Sequence, residues 1–238
     1  MANLSAPALA AHGIASPLQQ PVRVEFEKFN CKAGQLPRPD ELSKYDGFYI
    51  TGSLAGVYED EPWIKRLNDW TAAAIRAGHK VVGISFGHQM VVQALGGKVE
   101  RNPNGSSVSV MDTRLTPQAQ HYFGDGRTSF KLLYHHNDAV TRMPPASTGL
   151  MEMGGNRTTQ NNGVFDQAGR VLTFCGHPDY SHRPPVLHEL YEIDRELRWV
   201  GDQLLDFAIE TNYDATDFVW VIHNILAFYT GQLPAAGR

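Results

Sequence analysis

Apolar and polar residues alternate through VRVEFEKF (22–29), the period-two pattern of a strand with one buried face. DGFYIT (46–51) is a short apolar run that ends on the turn residues Gly52 and Ser53. In EPWIKRLNDWTAAAIRAG (61–78) the spacing changes. Trp63, Ile64, Leu67, Trp70, Ala74 and Ile75 fall on one helical face, with Pro62 suited to the first turn and Gly78 to the stop. KVVGIS (80–85) is then a buried strand, followed at once by a short helix from His88 to about Leu95. Strand, helix, strand, tight turn and helix in that order imply parallel pairing in an α/β sheet. VSVMDTRL, KLLYHH, TGLMEM and RVLTFCG supply further strand candidates between about 97 and 175. After Pro184 and Pro185 one long helical stretch is expected, with Leu187, Leu190, Leu197, Val200, Leu204 and Phe207 as its apolar stripe, and a last helix covers about 215–230. Both are expected as cover for the sheet.

The chain of 238 residues is long enough to bury a sizeable core within one domain. Residues 1–21, rich in Ala, Ser and Pro, are expected to form a flexible arm, and 22–238 a single domain. That arm lacks the basic start and apolar run of a signal peptide. A net charge of −4 gives no electrostatic reason to expect nucleic acid, and no apolar run approaches the length of a bilayer span. Two cysteines, Cys31 and Cys175, cannot make a disulfide framework or a cysteine-based zinc site. A cytoplasmic location, no metal and no cofactor are the expectations.

The candidate chemistry lies at Gly83-Ile84-Ser85-Phe86-Gly87, where a buried strand gives way to a helix. A sharp turn there lifts the central side chain out of the strand line, and the flanking glycines allow close backbone approach. The helix N-terminus favours a developing anion at the same point. A chance G-x-S-x-G in a tight turn is the bland alternative.

GISFGHQMVVQALGG (83–97) closely resembles the nucleophile region of the class I glutamine amidotransferases. Phe174-Cys175-Gly176-His177-Pro178-Asp179 resembles that family's F-Q-G-H-P-E, YDGFYITGS (45–53) the strand and oxyanion loop ahead of the nucleophile, and His136-Asn137-Asp138-Ala139-Val140 the H-x-D-x-V segment of many standalone members. The resemblance implies a three-layer, flavodoxin-like α/β sandwich with a central, mostly parallel sheet and a shortened first βα unit. It implies Ser85 as nucleophile, His177 as base and Asp179 as the group that orients the imidazole, with Asp one methylene shorter than the family's Glu. Backbone N–H groups of Phe86 and of Gly52 or Ser53 would receive the oxyanion, and Gln89 and His136 would stand around the substrate. His88 has an alternative role as structure. His135, His136 and Asp138 look like a metal cluster only superficially and fit better as pocket wall.

Ser85 stands where the family has cysteine. Three readings stay open: an engineered Cys-to-Ser change that silences the enzyme, a natural serine hydrolase, and a silent binding protein. The implied function is standalone hydrolysis of a γ-glutamyl-type amide in a small-molecule substrate through an acyl-enzyme at position 85. A biosynthetic tailoring enzyme acting on a non-glutamine substrate is the alternative. No synthase domain is attached, so ammonia transfer would need an acceptor partner in trans, and the shortened first unit raises homodimerisation as a second partner expectation. An α/β-hydrolase using His223 as its late histidine is disfavoured, because His223 falls in a helix-like run.

Overall fold

The computed structural model describes residues 22–180, 184–211 and 215–233. The expected arm at 1–21 lies outside the described residues.

The centre is a five-stranded sheet. Strand β1 (Phe48–Ile50) pairs in parallel with β2 (Val81–Ile84). Between them runs helix α1 (Pro62–Arg76), and α2 (Phe86–Ala94) follows β2. The chain then leaves the sheet for β3 (Lys98–Arg101), β4 (Ser107–Leu115), helix α3 (Pro117–Phe123), β5 (Ser129–His136) and β6 (Asp138–Arg142). It returns through β7 (Leu150–Glu152), β8 (Gly154–Gly155), β9 (Val164–Asp166) and β10 (Val171–Phe174). Spatial order in the main sheet is β1-β2-β10-β9-β7, with β10 parallel to β2 and β9 antiparallel to both of its neighbours. The fold is therefore α/β with a mixed, mostly parallel central sheet. Long β4 pairs antiparallel with β5 in a second, three-stranded sheet, and β3 pairs with β6.

Strand alternation produces the layers. Phe48, Ile50, Val81, Val171 and Val164 face α1 and α2, where Ile64, Leu67, Ala74, Ile75, Met90 and Val91 meet them. Val82, Ile84, Leu172, Phe174 and Phe165 face the other way. They pack on Tyr122 and Phe123 of α3, on Phe130, Leu132 and Tyr134 of β5, and on helix α6 (Phe218–Tyr229) through Trp220, Val221, Ile225 and Phe228. Each large side chain buried this way contributes roughly 1.5–3 kcal/mol. The helix expected over 61–78 forms with its apolar face inward, although Trp63 and Trp70 are only half-buried. Trp70 Nε1 donates to the Pro37 carbonyl at 3.0 Å.

Two expectations fail. Residues 22–29 form no strand, and 23–28 are exposed, Phe26 at 78%. The alternating pattern is present, but among the described residues no strand lies along the free edge of β1 to pair with it. The end of the segment is tied only through side chains, with the Tyr45 hydroxyl donating to Glu27 at 2.6 Å and the Phe29 ring set edge-on to Tyr45. The long helical stretch after Pro184 is also two helices, α4 (Pro184–Leu197) and α5 (Asp202–Thr211). Arg198 adopts φ 53°, a left-handed conformation that no continuous α-helix tolerates. The stripe is split: Leu187 and Val200 are buried, whereas Leu197 and Phe207 are half-exposed. These helices cover β4 and β5 through Val108, Leu133, Leu187, Tyr191, Leu205 and Ala208 rather than the main sheet.

Candidate active site

The three parallel strands end almost in step, Ile50 standing beside Gly83 and Phe174 beside Ile84. Each gives way at its carboxyl end to a candidate segment: Gly52 and Ser53 after β1, Ser85 after β2, His177 and Asp179 after β10. Ligands of open α/β sheets bind at this end.

Ser85 has φ 53° and ψ −109°. Only Arg198 shares a positive φ among the described non-glycine residues. Such a backbone costs on the order of 1–3 kcal/mol and persists only where the surroundings enforce it. They do so here. The Ser85 N–H donates to the Phe174 carbonyl of β10 at 2.9 Å, and the Ser85 carbonyl accepts the Gln89 N–H at 3.1 Å, opening α2. A Cβ at Gly83 would collide with the Gly87 carbonyl, and one at Gly87 with the Ile50 carbonyl. The two glycines thus let α2 press on β1 and β2 with Ser85 at the apex.

His177 is buried, and its N–H donates to the Leu133 carbonyl of β5 at 2.8 Å. Its Nδ1 donates to Asp179 Oδ1 at 3.2 Å, so the shorter Asp does span the gap. That hydrogen bond makes Nε2 the basic nitrogen. The ring stacks on Tyr180, centroids 4.2 Å apart. Burial lowers the imidazole pKa below its ordinary 6.5, with Asp179 opposing the shift, so the ring is neutral near pH 7. Gly52 ties the corners together: a Cβ built on it would lie 3.0 Å from His177 Cε1 and 3.7 Å from Ser85 Cβ. Segments 52, 85 and 177 therefore share one small space.

Phe86 is the first residue of α2, where an N–H has no helical partner one turn back, and its ring stacks on Trp63. Ser53 Oγ accepts the Ala55 N–H at 3.2 Å. Gln89 is buried, its Nε2 3.4 Å from the Asp138 carbonyl. Ser53, Ser85, Phe86, Gln89 and His136 line one pocket of about 140 Å³.

The remaining histidines separate into distinct environments. His88 is fully buried, with Nδ1 2.8 Å from Thr173 Oγ1, and burial pulls its pKa down to about 3. His136 donates from Nδ1 to the Asp138 carbonyl at 2.9 Å, and burial lowers it to about 4. His135 Nε2 donates to Asp194 Oδ2 at 2.6 Å, while the Asp138 carboxylate takes the Tyr58 hydroxyl at 3.0 Å and Arg101 at 3.7 Å. Among the described residues no three metal-ligating side chains converge. Cys175 is buried, and its thiol is pushed up to about 12, which suits packing rather than attack.

Tyr180, Asp194 and Trp199 are site residues that sequence reasoning did not find. Tyr180 could have been suspected because it directly follows the His-Pro-Asp corner. Asp194 sits in a helical stretch with nothing to distinguish it from a solvent-facing charge, and Trp199 reaches the pocket only because the helix breaks.

Residues 16–191 match the class-I glutamine amidotransferase family. The chain belongs to that family. Among curated relatives, it is 34% identical over 164 residues to a Saccharomyces cerevisiae protein described as a candidate glutamine amidotransferase, covering 66% of this chain and 63% of the yeast one. It is 28% identical over 187 residues to γ-glutamyl peptidase 2 of Arabidopsis thaliana, covering 77% of this chain and 73% of that protein. A glutamine amidotransferase structure from Methylobacillus flagellatus superposes with a TM-score of 0.68 over 88% of this chain and 85% of the other, at 18% identity, which supports the fold alone. No described helix of this amidotransferase domain is long and apolar enough to cross a membrane.

Proposed function

We propose that the protein hydrolyses a γ-glutamyl-type amide through an acyl-enzyme at position 85. The γ-carbonyl would lie over Ser85, whose Oγ attacks while His177 Nε2 takes its proton. The oxyanion would be held by the N–H of Phe86 and that of Gly52 or Ser53. His177 then protonates the departing amine or ammonia, and water repeats the sequence to release the acid. Asp179 holds the imidazole tautomer and steadies its cation. The observation that carries this reading is the surroundings of Gly52, where a Cβ would lie 3.0 Å from His177 Cε1 and 3.7 Å from Ser85 Cβ. Kinship with γ-glutamyl peptidases suggests the substrate class.

A second reading, a binding protein without turnover, is favoured by Ser85 itself. A thiol ionises near pH 8.5 and is a few per cent thiolate at pH 7, whereas a hydroxyl depends wholly on concerted base assistance. One series of proteins separates the two. Ser85→Cys is expected to cleave γ-glutamylglycine on the order of tenfold or more faster than the parent. His177→Ala in that background is expected to lower kcat by roughly 10²–10⁴ with the fold retained, the usual contribution of a positioned base. Product is read by mass spectrometry. Turnover that survives His177→Ala removes the imidazole from the mechanism, and cleavage by neither parent nor Ser85→Cys leaves the binding reading.

A further inference from the structure

The pocket beside Ser85 has a second histidine–aspartate pair in its wall. His135 is the penultimate residue of β5 and Asp194 lies in α4. The imidazole donates from Nε2 to Asp194 Oδ2 at 2.6 Å, and both residues line the pocket together with Trp199 and Val200. The Asp194 side chain is 99% buried, at 1% exposure, and its second oxygen, Oδ1, has no hydrogen-bond partner among the described residues. A buried carboxylate oxygen left without a donor is costly, so the arrangement calls for a donor from elsewhere.

The other acids of the pocket are already served. Glu59 Oε1 accepts the Gly56 N–H at 2.6 Å, and Asp138 takes Tyr58 and Arg101. Of the three, Asp194 is the one with a fully buried oxygen that lacks a donor among the described residues, which favours a cationic N–H donor. Its position also suits the proposed chemistry. His177 pairs with Leu133 of β5, and His135 is two residues, about 7 Å, farther along the same strand. In a γ-glutamyl group the α-nitrogen stands about 5 Å from the acyl carbon when extended. The break at Arg198 belongs to the same construction. It folds the chain back so that the Trp199 N–H donates to the Asp194 carbonyl at 3.1 Å, bringing Trp199 and Val200 to the pocket wall.

We propose that Asp194, held by His135, binds the α-ammonium group of the substrate and so selects γ-glutamyl donors over the same acyl groups without the amine. This rests on the γ-glutamyl reading above. The test is calorimetric titration of the full chain with γ-glutamylglycine, with glutarylglycine, which lacks only the α-amino group, and with N-acetyl-γ-glutamylglycine. The parent should bind the amine-bearing ligand roughly 10- to 100-fold more tightly than the other two, the range of a charge-assisted hydrogen bond. Asp194→Asn should bring the ratio to within about twofold, and Asp194→Glu, which keeps the charge if the amide proves poorly folded, should retain most of it. Equal binding of all three ligands by the parent overturns the proposal, as does discrimination that survives Asp194→Asn. Absence of binding or cleavage of γ-glutamylglycine by both parent and Ser85→Cys overturns the γ-glutamyl reading itself, an outcome distinct from binding without discrimination.

Discussion

Gly52→Ala perturbs the site with little effect on the fold. Gly52 does not occupy the left-handed region, so alanine meets no backbone strain there. The new methyl would sit 3.0 Å from His177 Cε1 and 3.7 Å from Ser85 Cβ. Carbon atoms are comfortable from about 3.5 Å, so roughly half an ångström must come from somewhere. The imidazole is held by Asp179 at 3.2 Å and by the Tyr180 stack, and the backbone N–H of His177 is fixed on the Leu133 carbonyl. The ring must therefore tilt away from Ser85 or strain those contacts. A misplacement of about 1 Å can cost roughly 100-fold in rate, so half that is expected to cost about tenfold, and the bulk near the oxyanion loop adds to it. Stability should change by less than about 1 kcal/mol, because the entropy lost by the unfolded chain on replacing glycine offsets the crowding. The assay is kcat/KM on γ-glutamylglycine in the Ser85→Cys background, beside a thermal melt. The expected result is a loss of roughly 10- to 100-fold with the melting temperature moved by no more than a few degrees. Parent-like turnover would refute the claim that residues 52, 85 and 177 form one reactive space.

The buried histidines make a pH prediction. His88 and His136 have folded pKa values lowered to about 3 and about 4 against an ordinary 6.5, so between those limits the unfolded chain binds more protons. Stability is full above pH 6.5 and falls as the pH drops; at pH 5 the two together should remove on the order of 4 kcal/mol, at 1.36 kcal/mol per unit. Urea midpoints at pH 7.5 and 5 check this, with His88→Gln expected to halve the slope and a flat profile to contradict the assignment. Ser85→Gly should raise the denaturation free energy by about 1 kcal/mol, the relieved strain less the added chain entropy, while ending turnover; a destabilised glycine form would mean that the φ of 53° is unstrained.

The buried strands were legible because their neighbours in sequence impose the answer. Residues 81–84 are apolar throughout, Gly83 and Gly87 bracket a residue that must turn, and Pro62 starts α1, so local chemistry and tertiary place agree. That residues 22–29 form no strand was not legible, because alternation specifies a face and not a partner, and nothing local reports that the edge of β1 stays unpaired there. The α4–α5 break was hidden for a related reason. Arg198 and Trp199 are ordinary helix residues by propensity, and the left-handed turn at 198 is imposed by packing against β4 and β5. In the site, the nucleophile turn and the His-Pro-Asp corner announced themselves by short motifs. Asp194 could not, since its meaning comes from His135, 59 residues away.

A turn built only for structure would not keep a serine at position 85. Both backbone hydrogen bonds there, to Phe174 and from Gln89, would be made equally well by glycine, which adopts φ 53° without penalty. Glycine already stands at 83 and 87, where space demands it, but not at the apex. What the strained backbone adds is the direction of one side chain, out of the strand line and toward Gly52 and His177. Burial also keeps His177, His136 and His88 uncharged near pH 7, so the imidazole at 177 is in the form that can take a proton. That combination, a side chain aimed at some cost toward a neutral imidazole, is what the proposed chemistry requires whether the atom it carries is oxygen or sulfur. On the proposed reading, replacing the oxygen would change the rate, while the geometry of the corner belongs to the glycines, the β10 hydrogen bond and the His177–Asp179 pair.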